Sequence, residues 1–177
     1  LALWSDGGNI TDRDSATQLK VEGDKAFARR SDQSWEEITD FTGAFAPDGD
    51  SLATASSDGS VHLWDLKSRS EQARLAGHHG EIRALAFSAD GRLLASGGGD
   101  KTIRVWDMRR RKLLTALAGH TAMISSLAFS PDAKTLASGS WDSTVKLWNL
   151  RLFREVGTLK AHSGQVTQVA FAPDGNT

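Results

Sequence analysis

The chain contains no cysteine. Disulfides, zinc-thiolate sites and cysteine nucleophiles are therefore excluded, and the absence fits a reducing, cytoplasmic compartment. No apolar run approaches the roughly 18 residues of a membrane span, and no stretch is patterned as a secretory leader. An excess of charge is lacking too, since the formal net charge is -1 over 177 residues. That removes the electrostatic case for nucleic acid or an anionic membrane as the main partner. Apart from His78-His79 the five histidines are scattered, so no metal-ligand spacing arises, and neither a metal nor a cofactor is expected. Gly97-Gly98-Gly99 lacks the Lys and Ser/Thr that follow a phosphate-binding glycine run, and it leads into a strand pattern, not a helix. What is present, 39% hydrophobic and 24% charged residues, is enough for a packed, soluble core.

Residues 77–107, GHHGEIRALAFSADGRLLASGGGDKTIRVWD, run from a Gly-His pair through two apolar stretches and a glycine-rich turn to Trp106-Asp107. The unit recurs. His78, His120 and His162 are 42 residues apart, as are Trp64, Trp106 and Trp148, Asp58, Asp100 and Asp142, and Phe45, Phe87, Phe129 and Phe171. Each full unit reads as four short strands; in the middle one they fall near 82–88, 92–97, 102–107 and 113–117. Stretches such as LLAS and SLAF are apolar at successive positions, which implies that both faces of each sheet are covered. Pro47-Asp48-Gly49 and Pro173-Asp174-Gly175 have turn chemistry, with proline presetting φ and glycine free to take φ > 0. Ala133 stands where the other three units have glycine, at a cost of about 1 to 2 kcal/mol if that position needs φ > 0.

A period of this length, with Gly-His at one end and Trp-Asp at the other, resembles the WD40 β-propeller family. The resemblance is strong over about 40–177 and weak over the first 24 residues. It implies an all-β fold of four-stranded antiparallel blades, about four counting partial ends, in an open arc where the family usually closes with seven. Residues 1–24 are expected to be the tail of an earlier blade, preferably with Ser5-Asp6-Gly7 in the place of Ser57-Asp58-Gly59 and Gly23-Asp24 in the place of Gly77-His78, the alternative being Leu3-Trp4 as the end of a third strand like Leu63-Trp64. Residues 25–77 form a blade with a polar loop insertion at about 25–40, for which a short helix through SWEEI, capped by Ser34, is the alternative. Residues 78–119 and 120–161 are full repeats, and 162–177 begins another. The ends, Leu1 and Thr177, read as cuts in a longer protein.

Ser, His and Asp within one unit are also the ingredients of a nucleophilic triad. The resemblance implies something else, a buried tetrad in each blade: His78, Ser96, Asp100 and Trp106, then His120, Ser138, Asp142 and Trp148. The physics agrees, because Trp only donates, Asp only accepts, and Ser and His do both. A catalytic set would occur once, not twice. The first blade keeps Thr54, Asp58 and Trp64, but Asp24 or Glu36 falls at its histidine position, so that tetrad is expected to be broken.

The family likeness further implies a non-enzymatic scaffold for protein or peptide partners, docking on the narrow end of the propeller. Carried over by position, that surface comprises Glu81, Arg83 and Gly99, then Met123, Ser125 and Trp141, then Thr39, Phe41 and Ser57, and finally Gln165 and Thr167. The remaining blades of a longer chain would be further partners. Two rival readings are a docking or sensor part of a longer enzyme, such as a kinase or protease, and a nucleic-acid-binding propeller. The basic run Arg109-Arg110-Arg111-Lys112 has no interleaved aromatics and reads as a solvated loop.

Overall fold

The computed structural model describes residues 19–22, 25–29, 35–38, 42–56 and 58–175, the first three spans as backbone only. All regular structure in them is β. Three strands, β1 (Leu19–Glu22), β2 (Lys25–Arg29) and β3 (Trp35–Ile38), form an antiparallel meander. Three four-stranded sheets follow. The first blade holds β4 (Gly43–Phe45), β5 (Ser51–Ala55), β6 (Ser60–Asp65) and β7 (Ser70–Ala76). The second holds β8 (Ile82–Phe87), β9 (Leu93–Gly98), β10 (Thr102–Asp107) and β11 (Lys112–Ala118). The third holds β12 (Ile124–Phe129), β13 (Thr135–Ser140), β14 (Val145–Asn149) and β15 (Arg154–Leu159).

Where it is described, the stretch expected to be a polar loop insertion is strand, at Lys25–Arg29 and Trp35–Ile38, so Trp35–Ile38 is not helical. Two strands lie there, with Ala26 opposite Ile38 and Arg29 opposite Trp35, and β1 pairs with β2 from Leu19 opposite Ala28 to Glu22 opposite Lys25. This meander is a sheet of its own, preceding the three four-stranded ones. Cross-strand hydrogen bonding outweighs the weak local preference of Trp35–Ile38 for a helix turn.

Consecutive blades stack face to face, β8 against β4 and β5, and β12 against β8 and β9. Alternation along each strand then serves two interfaces. Leu94, Trp106 and Ile82 pack with Ala53, Ala55, Val61 and Leu63 of the first blade, while Ala95, Ile103, Val105 and Leu117 pack with Ile124, Leu127 and Leu136 of the third. This accounts for strands that are apolar at successive residues. A β-branched residue opening each blade nests on a small residue of the one before. At Gly97 a Cβ would lie 2.8 Å from Ile124, and at Gly139 2.7 Å from Val166, so any side chain there would force the blades apart. The arc is open at its far end: Leu117 is 3% exposed, but its counterpart Leu159, on the outer face of the third blade, is 53% exposed.

The turns between first and second strands are copies of one another. Gly49, Gly91, Ala133 and Gly175 all have φ between 54° and 73° and all donate their N–H to the carbonyl three residues back. Ala133, at φ 54°, thus occupies the left-handed region with a Cβ. Replacing it by glycine (A133G) is expected to raise unfolding free energy by about 1 kcal/mol, the relief of left-handed strain less the added chain entropy. Urea unfolding measures it, and a lower midpoint for A133G would contradict this reading of the turn.

Candidate functional site

The second and third blades are each pinned by a chain of polar side chains running from the third strand to the loop before the first. In the second blade Trp106 Nε1 donates to Ser96 Oγ (2.9 Å), Ser96 Oγ meets His78 Nε2 (2.8 Å), and His78 Nδ1 meets Asp100 Oδ2 (2.8 Å). In the third, Trp148, Ser138, His120 and Asp142 repeat it at 2.8, 2.7 and 2.8 Å. One proton arrangement satisfies every member. The indole can only donate, so the serine hydroxyl proton turns to His Nε2, and the imidazole proton sits on Nδ1 and goes to the carboxylate.

Burial is the largest influence on His78 and pushes its imidazole below the ordinary 6.5, against the opposing pull of Asp100. Burial alone would raise Asp100, but the Thr102 N–H, His78 and the His79 N–H outweigh it and hold the carboxyl below its usual range. Asp142 is held down similarly, as the Thr144 hydroxyl, the Thr121 N–H and His120 overcome the effect of burial.

The distances would suit a serine nucleophile, but the surroundings do not. Ser96 and Ser138 are completely buried, and each Oγ is occupied by an indole donor on one side and an imidazole on the other. A carbonyl carbon has no approach to either. Among the described residues no group of three or more His, Cys, Asp or Glu is arranged to hold a metal ion.

The first blade solves the same problem differently. Trp64 Nε1 donates to Thr54 Oγ1 at 2.9 Å, but no histidine bridges Thr54 to Asp58. Instead Asp58 accepts from Arg74 and from the Ser60 hydroxyl, and Ser60 Oγ lies 3.1 Å from His62 Nε2. Both Asp24 and Glu36, the two residues considered for the histidine position, lie outside the residues whose side chains are described. The role of Arg74 was missed from the sequence; its signal is that Ala116 and Thr158 occupy the same register in the other two blades.

At the narrow end, backbone bonds hold each tight turn to the first strand of its blade: Gly99 N–H donates to Glu81 O (2.8 Å) and Trp141 N–H to Met123 O (2.9 Å). Trp141 and Met123 are thus neighbours, with Trp141 44% exposed. Arg83 and Glu81 form a pair, Nη2 to Oε2 at 2.7 Å. The Ser125 hydroxyl is already engaged by the carbonyls of Gly139 (3.1 Å) and Val166, which ties the third blade to the segment after it. Gln165 and Thr167 are exposed. Thr39, Phe41 and Ser57 lie outside the described residues.

The family model described as WD domain, G-beta repeat matches residues 31–65, 69–107, 111–149 and 153–177. The chain belongs to this WD40 family. The matches at 69–107 and 111–149 each start at the fourth strand of one blade and end at the third strand of the next, so a sequence repeat straddles two blades. The match beginning at 31 places β3 as a fourth strand, in keeping with the meander.

Similar solved structures are those titled "Structure of U3-55K" and "Crystal structure of RRP9 WD40 repeats". Each has a TM-score of 0.71 and 25% identity, covering 89% of this chain and 44% and 43% of theirs. Among curated proteins, mitochondrial division protein 1 of Malassezia globosa is 44% identical over 54 residues, 30% of this chain and 8% of that protein. Pre-mRNA-processing factor 19 homolog 2 of Arabidopsis thaliana is 41% identical over 61 residues, 34% of this chain and 11% of that protein. The WD40 chain thus spans about a tenth of these curated relatives and under half of the solved ones.

The tetrads make stability depend on pH with a definite sign. The folded state keeps His78 neutral below its ordinary 6.5, so as pH falls the unfolded chain takes up a proton that the folded chain refuses. The contribution is whole above the unfolded value and is lost as pH drops towards the folded one. Asp100 behaves alike around and below its ordinary 3.8. Melting temperature should be level above about pH 7, fall from about pH 6.5 to 5, and fall again below about pH 4. A melting temperature that held or rose between about pH 7 and 5 would contradict the neutral-histidine arrangement.

Proposed function

We propose that this WD40 segment is a non-enzymatic scaffold that binds protein or peptide partners at its narrow end, centred on Trp141. The observation that supports this most directly is the exposure of that indole, fixed beside Met123 by its own backbone bond. An exposed Trp on a rigid turn, next to an adaptable thioether, offers a large apolar contact at small entropic cost. Arg83 and Glu81 add a charged border, though their mutual ion pair leaves the guanidinium partly committed. Gln165 and Thr167 extend the same surface with polar groups, while Phe41 and Ser57 are assigned to it by repeat position alone. Ser125 contributes through the local backbone more than through its hydroxyl, which is taken.

The closed tetrads favour a binding role over chemistry, because the side chains able to do chemistry hold the blades together. The near-neutral charge disfavours nucleic acid as the partner.

Peptides selected for binding to the chain from a displayed library supply a test. Trp141→Ala should weaken the selected peptides by about 2 kcal/mol or more with an unchanged melting curve, and Arg83→Ala by less. Unchanged affinity for both variants would remove this face from consideration.

A further inference from the structure

In each complete blade the third strand carries a basic side chain two residues before its tryptophan: His62, Arg104 and Lys146. In two of the three the fourth strand supplies a carboxylate. Glu71 Oε1 lies 3.0 Å from His62 Nδ1, and Glu155 Oε2 lies 2.8 Å from Lys146 Nζ. Glu71 stands opposite Trp64 and Glu155 opposite Trp148, and at the same register, opposite Trp106, the second blade has Leu113. Arg104 makes no hydrogen bond or ion pair with any described residue, and its Nε is shut off from solvent without a partner. The backbone of Gly77 lies against it so closely that a Cβ there would be 3.0 Å from Nη1. A guanidinium so placed lacks the acceptor that both neighbouring blades provide.

The rim around this gap is apolar. Seven large hydrophobic side chains are exposed among the described residues, and six of them, Leu113, Leu114, Leu152, Phe153, Val156 and Leu159, lie along the fourth strands and preceding turn of the second and third blades. The first blade differs. Arg111 Nη2 donates to Gln72 Oε1 across the gap between first and second blades at 2.6 Å, whereas 42 residues further on those two positions are Phe153 and Leu114. Polar rim contacts have given way to hydrophobic ones over one part of the circumference. Basic charge surrounds it: residues 109–112 are all Arg or Lys, Arg151 and Arg154 flank Leu152 and Phe153, and the nearby carboxylates are spent, Asp107 on Arg110 and Glu155 on Lys146. Strand β11 is also the outer edge of its sheet.

We propose that this rim, centred on β11, is a second docking surface, taking an acidic peptide segment that carries apolar side chains. One of its carboxylates occupies the place on Arg104 that Glu71 and Glu155 occupy on the basic residues of their blades. Its apolar side chains cover Leu113, Leu114 and Phe153, and the basic run at 109–112 steers it in. An extended segment with alternating acid and apolar residues fits an edge strand that presents both kinds of group. The surface is separate from the narrow end, so Trp141→Ala should leave it unaffected.

Fluorescence anisotropy of the chain with a labelled peptide of repeating Glu-Leu-Asp-Phe units tests this, with Lys-Leu-Lys-Phe as control. Leu113→Glu restores the acid found in the other blades. It should keep or raise the melting temperature, by pairing with Arg104, while weakening the acidic peptide about tenfold or more. Phe153→Ser, which leaves Arg104 alone, should weaken it too and keeps the test decisive if Leu113→Glu fails to fold. Equal binding of the two peptides, or acidic-peptide affinity unmoved by the substitutions, would overturn the proposal. So would binding to phosphatidylserine vesicles in the absence of peptide binding, which would make the rim a membrane contact. Loss of self-association in L113E with no change in peptide affinity would make it a contact between copies of this chain, and would equally overturn it.

Discussion

A single directional chain of hydrogen bonds, indole to hydroxyl to imidazole to carboxylate, is the constraint on which the WD40 blades depend. Its direction is imposed at both ends, because Trp106 and Trp148 have a proton to give and nothing to accept with, while Asp100 and Asp142 only accept. The two middle groups must then orient accordingly. Each link contributes only about 1 kcal/mol net, yet a stranded buried member costs about 1 to 3 kcal/mol, so the arrangement gains more in uniqueness than in raw stability. It joins the loop before the first strand to the second and third strands, and so fixes the register of the blade. Asp100 and Asp142 also accept backbone N–H groups of the His79 and Thr121 loops, which holds those loops at the narrow end. The placement of Met123, Trp141, Glu81 and Arg83 follows from that anchoring.

Much of this was legible because the signals repeat. A lone Ser-His-Asp set is ambiguous between structure and catalysis, but two copies at one spacing, each with a Trp, point to architecture. Turn chemistry was legible to the level of a single atom's conformation: Ala133 takes the positive φ that its glycine counterparts take. Apolar runs such as LLAS announced sheets covered on both sides, and Leu94 and Ala95 do face opposite neighbours. Residues 25–40 were illegible for a physical reason. The strands there, KAFAR and WEEI, are short and set among charged residues, and so short a strand differs from a loop chiefly through the partner it pairs with, which is a non-local fact.

The departures from the repeat carry the functional content. Where the first blade lacks its histidine, Arg74 and Ser60 satisfy Asp58, so the loss is compensated inside the fold. Where the second blade lacks the acid that would face Arg104, nothing described compensates. At the far end Leu159 is exposed where Leu117 is buried. The first departure is structural repair, the second is the ground for the proposed docking surface, and the third marks the open face of the arc.

The central claim is the proton order within the tetrads, and long-range proton–nitrogen NMR of the imidazole rings at neutral pH tests it most directly. The account predicts that in His78 and His120 alike Nδ1 carries the proton and Nε2 accepts from the serine hydroxyl, and that the Trp106 and Trp148 indole protons are shielded from exchange. Finding either imidazole protonated on Nε2, or finding those indole protons exchanging as freely as that of exposed Trp141, would contradict it.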